Sequence, residues 1–487
     1  MPEPRTDRPL RFAIVGAGMS GILAGIKLQE AGLTNFTIFE KADRLGGTWR
    51  ENTYPGIACD VPSHLYSYSF ALNPDWTRHY SPGDEIQAYF ERVACEFGVD
   101  RNIRFGDEVV ACAWNGEGWR IETASGHRED ADVVIAATGV LHHPRYPDLA
   151  GLDAFRGAMF HSARWDHSVE LDGARVGIIG TGSSAVQIVT AIVERVGRLT
   201  VFQRTAQWVT PLTNTPFTDE ERGRFRDDRT EMLRVRRELE ALFDGFADGL
   251  VDLESDMMHG IEQVTLANLE EHVTDPVLRE LLRPHYRAAC KRLVMGENFY
   301  EAMQHPNTEL VTEAISGIEA GGVRTEDGRL HELDVLVMAT GFDVQAFMRP
   351  MDITGRDGIR LAETWADRPN AYLSMSIPEF PNFFMLNGPN GPVGNFSLIE
   401  VAELQFAYIM ELVQKLRVGE CREISATHAA MERHEAARTE ATKSTIWSTG
   451  CRSWYLDDRG VPAVWPWTFT RFREVMAAPD LDAYDLR

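Results

Sequence analysis

Two apolar runs along the chain each end in a glycine-rich turn, the pattern of a buried strand that leads into a helix. The first run, FAIV at residues 12–15, precedes GAGMSG at residues 16–21. The second run, VGII at residues 176–179, precedes GTGSSA at residues 180–185. A turn of this kind lets the backbone approach a pyrophosphate, which then faces the N-terminus of the helix. The pattern therefore predicts two Rossmann-like units that bind dinucleotides.

The two units differ in the residue that ends their second strand. Glu40 lies 24 residues after Gly16, and Arg204 lies 24 residues after Gly180. A carboxylate at this position accepts hydrogen bonds from a free ribose, whereas a guanidinium suits a 2′-phosphate. We therefore expect two different dinucleotides, and FAD with NADPH is the natural pair.

A later part of each unit also recurs, as an apolar strand followed by the letters ATG. VVIA at residues 133–136 leads to ATG at 137–139, and VLVM at 335–338 leads to ATG at 339–341. A meander with turns rich in glycine precedes each of these strands. The expected fold class is α/β, with two Rossmann-like dinucleotide-binding domains, one for FAD and one for NADP.

The stretch from about residue 217 to 285 departs from this repeat. Apolar residues recur there at spacings of three and four, which predicts an amphipathic helix with Met232, Val235, Leu239, Leu242 and Phe246 on one face. We therefore expect a helical insertion in the second nucleotide domain. The predicted boundaries are 1–145 and 385–487 for the two parts of the FAD domain, 146–212 and 301–384 for the two parts of the NADP domain, and 213–300 for the insertion.

Composition narrows the class of protein further. The chain has 487 residues and a formal net charge of −24, which argues against nucleic acid as a partner. No run approaches the ~20 apolar residues that a transmembrane helix needs, and residues 1–11 lack the apolar core of a signal peptide. We expect a cytoplasmic protein, and peripheral membrane contact stays open.

The cysteines and histidines give no sign of a redox dithiol or a metal site. The six cysteines form no Cys-x-x-Cys motif, which disfavours the flavoproteins that reduce disulfides. His142 and His143 are adjacent, so their side chains diverge, and we expect a loop there. No metal is predicted.

Two motifs carry a resemblance to a known family. FRGAMFHSARWD at residues 155–166 resembles the linker fingerprint of the flavin-dependent (class B) Baeyer–Villiger monooxygenases. GGTW at 46–49, YPG at 54–56 and Asp60 match a second signature of that family, and CRSWYLD at 451–457 is similar to its closing segment. Related flavin N- and S-monooxygenases usually have Tyr or Phe where Trp165 stands.

The resemblance implies an activity. It implies an NADPH- and O2-dependent flavoprotein that inserts oxygen next to a ketone carbonyl, through a flavin peroxide, to give an ester or lactone. The substrate would be a small-molecule ketone, with a sulfide as an alternative, and the sequence does not say whether the ketone is cyclic, linear, aromatic or steroid-like. The alternatives are an N- or S-oxygenating flavin monooxygenase and, from another class, a non-catalytic dinucleotide-binding redox sensor.

The resemblance also implies roles for three residues. Arg292 lines up with the family's catalytic arginine, whose permanent charge would stabilise the peroxide in a dry site. Asp60 resembles the carboxylate that orients this arginine. His161 lies in the linker and is assigned to domain motion and cofactor positioning, not to acid–base catalysis.

The remaining expected site residues fall into three groups. At the FAD site and beside it we expect Gly16, Gly18, Gly21, Glu40, Thr48, Trp49, Arg50, Glu51, Ala58, Cys59, Asp60, Tyr66, Val110 and Leu398. At the NADP site we expect Thr181, Gly182, Ser183, Ser184, Ala185, Val186, Gln187, Arg204, Thr205, Lys291 and Arg292. A substrate loop is expected at Pro392, Val393, Gly394, Asn395, Phe396 and Ser397.

Overall fold

The computed structural model describes residues 8–392, 394, 396–457 and 459–487. Its strands are β1 (Phe12–Val15), β2 (Phe36–Phe39), β3 (Ile103–Arg104), β4 (Val109–Trp114), β5 (Trp119–Thr123), β6 (Arg128–Ala131), β7 (Val133–Ala136), β8 (Ala158–His161), β9 (Arg175–Ile179), β10 (Arg198–Phe202), β11 (Val209–Pro211), β12 (Val294–Gly296), β13 (Thr308–Val311), β14 (Ile315–Glu319), β15 (Gly322–Thr325), β16 (Leu330–Glu332), β17 (Val335–Met338), β18 (Asp352–Thr354), β19 (Phe383–Met385), β20 (Ile424–Ala426) and β21 (Tyr484–Leu486). Its α-helices are α1 (Met19–Glu30), α2 (Thr48–Glu51), α3 (Gly83–Glu96), α4 (Ser183–Ile192), α5 (Asp219–Asp227), α6 (Arg229–Leu250), α7 (Asp256–His272), α8 (Pro276–Leu281), α9 (Phe299–Met303), α10 (Leu361–Thr364), α11 (Leu398–Arg417), α12 (His428–Thr442) and α13 (Phe469–Met476).

Two parallel sheets of the same plan contain the two glycine-rich turns. The first sheet has the strand order β19-β7-β1-β2-β3, and the second has the order β13-β10-β9-β17-β8. All residues of β1, β7 and β17 are buried, as expected for parallel strands covered on both faces. Helix α1 follows β1, and α4 follows β9. The predicted α/β class with two Rossmann-like units is confirmed.

The alanine of each ATG motif packs against the first glycine of the corresponding glycine-rich turn. Gly16 has φ +103°, and a Cβ built there would lie 2.6 Å from the carbonyl oxygen of Ala137. Gly180 has φ +122°, and its Cβ would lie 2.2 Å from the carbonyl oxygen of Ala339. Only glycine fits such a close backbone contact at a positive φ. The two ATG motifs therefore pack against their glycine-rich turns in the same way.

The meanders form smaller sheets beside the two parallel ones. The first has the order β18-β4-β5-β6, and the second has the order β14-β15-β16. Strand β18 pairs in parallel with β4, which would otherwise be an open edge. This pairing brings the chain back to the first unit at residues 352–354, earlier than the predicted boundary at 385. The domain boundaries stay predictions.

The predicted insertion contains helices α5 to α8. Helix α6 is confirmed, and Val235 and Leu239 pack against the core of the first unit. The expectation that Leu242 lies on the apolar face is wrong, because Leu242 is 57% exposed. Arg236 of the same helix is buried and donates a hydrogen bond of 2.8 Å to the carbonyl oxygen of Ser67. Among the residues that the structure describes, no helix has the length and apolar character needed to cross a membrane.

Candidate active site between the two nucleotide units

Glu40 fixes the first glycine-rich turn. Its Oε2 accepts a hydrogen bond of 2.9 Å from the Ala17 amide, and its Oε1 accepts one of 2.9 Å from Arg50 Nη1. The Glu40 side chain is 5% exposed. Gly18 precedes α1, so the amides of the first helical turn face the space beside this carboxylate. The arrangement fits an anionic pyrophosphate next to a ribose.

The GGTW motif lies against this turn. A Cβ built at Gly47 would lie 3.1 Å from the Cα of Gly18, so the two backbones are in close contact. Arg50 Nη2 donates a hydrogen bond of 3.0 Å to Glu51 Oε1, which joins Glu51 to the Glu40 pair. The short helix α2 begins at Thr48 and contains both Arg50 and Glu51.

Five further residues were expected at the first dinucleotide site: Trp49, Tyr66, Val110, Leu398 and Gly21. Trp49 Nε1 donates a hydrogen bond of 3.0 Å to the Tyr66 hydroxyl, and the rings meet edge to face. Burial raises the pKa of Tyr66, so this hydroxyl stays protonated. Val110 on β4 is 39% exposed, and Leu398 begins α11. Gly21 is buried in α1, where its Cβ would lie 1.9 Å from the Gly16 carbonyl oxygen.

Two buried asparagines in the segment before α11, Asn387 and Asn390, were not predicted from the sequence. Asn387 donates a hydrogen bond of 3.1 Å to Ser20 in the first turn of α1. The Oδ1 atoms of Asn387 and Asn390 are buried and accept no hydrogen bond among the described residues. An unpaired buried acceptor is costly, so a donor from a bound group would stabilise both. This observation fits a dinucleotide with polar ring edges at the first unit.

The second turn is tied to the first unit by the YPG segment. The Tyr54 hydroxyl donates to Gln187 Oε1 at 2.9 Å and accepts from Ser184 Oγ at 3.2 Å. Gln187 Nε2 in turn donates to the Ala58 carbonyl oxygen at 3.0 Å. Burial raises the pKa of Tyr54 to about 12, so its proton is retained for this network. Ser183, Ala185 and Val186 occupy the same first turns of α4.

Lys291 and Arg204 bring two positive charges together beside this turn. Burial lowers the pKa of Lys291, and the nearby Arg204 charge lowers it further. Lys291 Nζ lies 4.7 Å from the centre of the Tyr286 ring. Within the described part of the chain, no carboxylate lies within salt-bridge distance of either cation. Arg204 directly precedes Thr205, whose carbonyl oxygen accepts a hydrogen bond of 3.0 Å from the Thr181 hydroxyl. The two cations therefore lie beside the second glycine-rich turn and are suited to bind a dianion.

Arg292 and Asp60 form an ion pair across the two units. Arg292 donates from Nε at 2.8 Å and from Nη2 at 2.6 Å, in both cases to Asp60 Oδ2. The side chains are 32% and 22% exposed, so the pair is only partly open to solvent. Burial lowers the pKa of Arg292, but Asp60 and Tyr455 outweigh this effect and raise it above its ordinary value. The guanidinium is therefore a fixed positive charge.

Cys59 lies directly before Asp60 but has different chemistry. Its side chain is buried, and burial raises the pKa of the thiol. The Cys59 Sγ accepts a hydrogen bond of 3.4 Å from the Val61 amide. The residue packs in the core of the first unit, so it supports the backbone at Asp60 and is unsuited to act as a thiolate nucleophile.

His161 is buried at the end of β8 and held by backbone groups. Its Nδ1 accepts from the Ala163 amide at 3.1 Å, so its Nε2 carries the proton that it donates to the Gly341 carbonyl oxygen at 3.0 Å. Burial lowers the pKa of His161, which keeps the ring neutral. Trp165 packs edge to face on Phe160 in the same linker. His161 thus joins the linker to Gly341 of the second ATG motif, and no hydrogen bond among the described residues joins it to Arg292 or Asp60.

The expected substrate loop passes close to Arg292. Gly394 has φ +94°, and a Cβ there would lie 2.1 Å from the Tyr455 hydroxyl. Phe396 is stacked on Phe469 at 4.0 Å, and Pro392 and Ser397 are buried. Val393 and Asn395 lie outside the described residues.

The C-terminal segment contributes contacts that no sequence pattern predicted. Cys290 and Cys451 form a disulfide with a Cα–Cα distance of 6.1 Å, across 161 residues of sequence. Burial raises the pKa of Tyr455, four residues after Cys451, against the lowering effect of the nearby Arg292 charge. No local spacing in the sequence joins KR at 291–292 to SWY at 453–455.

Comparisons with known proteins agree with this architecture. The family model described as pyridine nucleotide-disulphide oxidoreductase matches residues 13–219. The chain is 47% identical over 484 residues to an uncharacterised monooxygenase of Mycobacterium tuberculosis, covering 99% of this chain and 97% of the relative. It is 40% identical over 489 residues to a Baeyer–Villiger monooxygenase of Streptomyces coelicolor, covering 98% and 92%. A crystal structure of cyclohexanone monooxygenase from Rhodococcus bound to NADP+ has a TM-score of 0.87 at 32% identity, covering 99% and 100%.

These relatives cover nearly the full length of the chain, and this coverage defines its class. The chain belongs to the flavin-dependent Baeyer–Villiger monooxygenase family. It is a flavoprotein monooxygenase, and its cofactors are FAD and NADP. The expected pair of different dinucleotides is confirmed.

Proposed function

We propose that this enzyme uses NADPH and O2 to insert one oxygen atom next to a ketone carbonyl, giving an ester or a lactone. The observation that carries the proposal is the Arg292–Asp60 pair, because it puts a permanent cation between the two nucleotide units. Reduced FAD supplies the activation of O2. The residues of the chain bind the two cofactors, orient them and stabilise negative charge.

The FAD site is assigned to the first unit. The amides at the start of α1 face the pyrophosphate, and Glu40 accepts hydrogen bonds from the ribose. Trp49, Tyr66 and the rest of the residues expected from the sequence surround this dinucleotide. Asn387 and Asn390 are added to them because their buried Oδ1 atoms need donors.

The NADP site is assigned to the second unit. The turn from Thr181 to Gln187 faces the pyrophosphate, while Arg204 and Lys291 contact the 2′-phosphate. A dianion between these two cations would relieve the repulsion that lowers the pKa of Lys291. His161 links the linker to Gly341 of the second unit and is assigned to domain motion.

The cation explains why a ketone is the preferred substrate class. Oxygen transfer to a carbonyl needs an oxygen nucleophile that carries negative charge, and a preorganised guanidinium stabilises this charge without giving up a proton. Oxygenation of an amine or a sulfide uses the protonated oxidant and gains less from such a cation. The named ketone-oxidising relatives support the same assignment.

N- or S-oxygenation is the second candidate function. Trp165 in the linker and Arg292 at the domain junction favour the ketone reaction over it. The redox-sensor alternative leaves the Arg292–Asp60 pair without a role.

The test is NADPH consumption by the purified holoenzyme across a panel of ketones, sulfides and amines, with each product identified by mass spectrometry. The proposal expects ester or lactone from at least one ketone, with one NADPH and one O2 used for each product molecule. Amine hydroxylation without any ester would favour the second candidate. NADPH binding without substrate-dependent O2 uptake would favour the sensor.

A further inference from the structure

The segment from Tyr54 to Asp60 lies between β2 and β3 of the first unit, but its first residues pack against the second unit. Tyr54 is 6% exposed and lies in the hydrophobic core that contains Val186 and Val189 of helix α4. Ile57 packs against the same core. The ring of Tyr54 therefore anchors a piece of the first unit inside the second.

The Tyr54 hydroxyl is bonded to α4 as both donor and acceptor. It donates to Gln187 Oε1 at 2.9 Å, and it accepts from Ser184 Oγ at 3.2 Å. A phenol has one proton, so it can donate to only one of these two partners. Gln187 also bonds to a second residue of the segment, because its Nε2 donates to the Ala58 carbonyl oxygen at 3.0 Å. The Gln187 carboxamide thus bridges Tyr54 and Ala58.

The backbone of the segment also lies directly on α4. Gly56 has φ +80°, and a Cβ built there would lie 2.6 Å from the Gln187 carbonyl oxygen and 2.9 Å from the Cβ of Ala191. Only glycine fits such a contact at a positive φ. Backbone contact and side-chain hydrogen bonds therefore resist the same movement, a displacement of α4 along the segment.

The opposite edge of the segment is bonded to the first unit. The Cys59 amide donates to the Ser81 carbonyl oxygen at 3.0 Å, and the Gly83 amide donates to the Ile57 carbonyl oxygen at 3.1 Å. The segment is thus bonded to α4 along one edge and to residues 81–83 along the other. A segment bonded along both edges has little freedom to absorb a shift of α4.

The two ends of this connection contain the two parts of the proposed site. Ser184 lies in the first turn of α4, whose amides are assigned to the NADP pyrophosphate. Ala58 lies two residues before Asp60, whose carboxylate accepts both hydrogen bonds from Arg292. A shift of the NADP-binding turn is therefore passed through the segment to Asp60.

We propose that Tyr54 is a positioning residue that couples the NADP-binding turn of the second unit to the Arg292–Asp60 pair. The inference rests on the roles proposed for that turn and for Arg292. The Tyr54 hydroxyl keeps α4 in register with the segment, so bound NADP and the guanidinium stay in fixed relative positions. A tyrosine buried for packing alone would act through its ring, and removal of its hydroxyl would leave this coupling unchanged.

The first experiment removes only the Tyr54 hydroxyl. Tyr54→Phe keeps the buried ring. Tyr89→Phe is the matched control, because the Tyr89 hydroxyl also donates one hydrogen bond and accepts another, both at 2.8 Å, within the first unit. We expect both variants to retain FAD. Hydrogen–deuterium exchange of each holoenzyme, with and without NADP+, then measures the coupling.

The exchange experiment compares two peptides, one at residues 181–190 and one at residues 56–62. In the parent, NADP+ should slow exchange in both. In Tyr54→Phe the protection of 181–190 remains, whereas the protection that NADP+ gives to 56–62 falls by roughly two- to tenfold, the range for the loss of one neutral hydrogen bond. Tyr89→Phe should behave as the parent does. Parent-like protection of 56–62 in Tyr54→Phe would overturn the proposal.

Kinetics distinguish positioning from a loss of cofactor binding. Arg204, Lys291 and the amides of α4 are intact in Tyr54→Phe, so the KM for NADPH should change less than about twofold. The share of NADPH-derived electrons released as hydrogen peroxide should rise by roughly two- to tenfold, because Arg292 is no longer held in register with the bound cofactor. A raised KM with unchanged peroxide release would assign Tyr54 to cofactor binding and contradict the positioning role.

A double-mutant cycle tests whether Gln187 is part of the connection. Gln187→Met removes the carboxamide and keeps most of the side-chain volume, so it breaks the bonds to both Tyr54 and Ala58. If the two side chains act through one bridge, the variant with both Tyr54→Phe and Gln187→Met loses no more protection at 56–62 than the more affected single variant. Fully additive losses would overturn the bridging role of Gln187.

These measurements separate the inference from the proposed function. Exchange with NADP+ requires no ketone, so it still reports on Tyr54 if the substrate panel yields no ester. A parent whose 181–190 peptide gains no protection from NADP+ would overturn the assigned NADP turn and the inference with it. An ester-forming parent whose coupled protection survives in Tyr54→Phe would leave the function intact and remove the inference alone.

Discussion

Arg292 donates two hydrogen bonds, of 2.8 and 2.6 Å, to one carboxylate oxygen of Asp60, a residue 232 positions away in the sequence. This geometry joins the segment after YPG in the first unit to the segment between α8 and β12. A cation held in this way costs no reorganisation when negative charge develops near it. The pair therefore couples the packing of the two units to the chemistry proposed between them.

The first prediction concerns Arg292. Arg292→Ala should fold and retain FAD, but ester formation should fall by about 10²–10³-fold or more, as for the loss of one preorganised donor. Arg292→Lys keeps the charge but loses the planar fork, so we expect only partial recovery. Product analysis with stopped-flow mixing of the reduced enzyme and O2 measures both. The control is Arg287→Ala, which breaks a similar pair with Glu262 at 2.7 Å. Ester formation at the parent rate would remove Arg292 from the mechanism.

The second prediction concerns cofactor preference. Each charge-assisted contact to a 2′-phosphate contributes roughly 1.5–3 kcal/mol, so Arg204→Ala should lower the preference for NADPH over NADH by at least about tenfold. Lys291→Ala should act in the same direction. Steady-state kinetics with both cofactors give the KM ratio. Arg195→Ala, at an exposed arginine paired with Asp172, should leave that ratio unchanged. An equal rise in KM for both cofactors would show that the phosphate lies elsewhere.

The sequence pattern predicted those parts of the fold that depend on residues close together along the chain. The strand–turn–helix signals at residues 12–30 and 175–192 match β1–α1 and β9–α4, because buried parallel strands are apolar throughout and the turns need glycine. Long-range pairing was not predictable. Strand β18 joins β4 across more than two hundred residues, and its three residues carry no signal of that partner.

The same division holds at the candidate site. Arg292 was found through a family resemblance, since one arginine in an apolar segment has no distinctive spacing. Tyr455 and the Cys290–Cys451 disulfide were missed as parts of the site because tertiary folding alone brings them to Arg292. Leu242 shows the opposite error: helical periodicity placed it on a buried face, although this residue is 57% exposed.

The third prediction concerns stability against pH. His64 is 2% exposed and packs on Phe217 and Phe225. Burial, aided by His79 and Arg236, lowers the pKa of His64 to about 4. Below pH ~6.5 the unfolded chain binds a proton that the folded protein does not bind, so the free energy of unfolding should fall as pH decreases towards 4. The full effect is roughly 3 kcal/mol.

The measurement is denaturant unfolding between pH 5 and pH 7.5 for the parent and for His64→Leu. The parent should lose stability below pH ~6.5, and the variant should lose less over the same range. His142 and His434, whose pKa values burial also lowers to about 4, contribute to the slope that remains, as do His161 and His331. An unchanged slope in His64→Leu would contradict the prediction.

The last prediction separates two glycines of the second turn. A Cβ at Gly180 would lie 2.2 Å from the Ala339 carbonyl oxygen, at a φ of +122°, whereas a Cβ at Gly182 meets no protein atom within 4 Å. Gly180→Ala should therefore destabilise the fold, because the backbone has to shift. Gly182→Ala should leave the melting temperature and the FAD content close to those of the parent. Its KM for NADPH should nevertheless rise by about tenfold or more, because the new methyl group occupies the space that the pyrophosphate approaches. Thermal unfolding, flavin absorbance and NADPH kinetics distinguish the two effects. A Gly182→Ala variant with the parent KM for NADPH would show that the pyrophosphate does not lie at the start of α4.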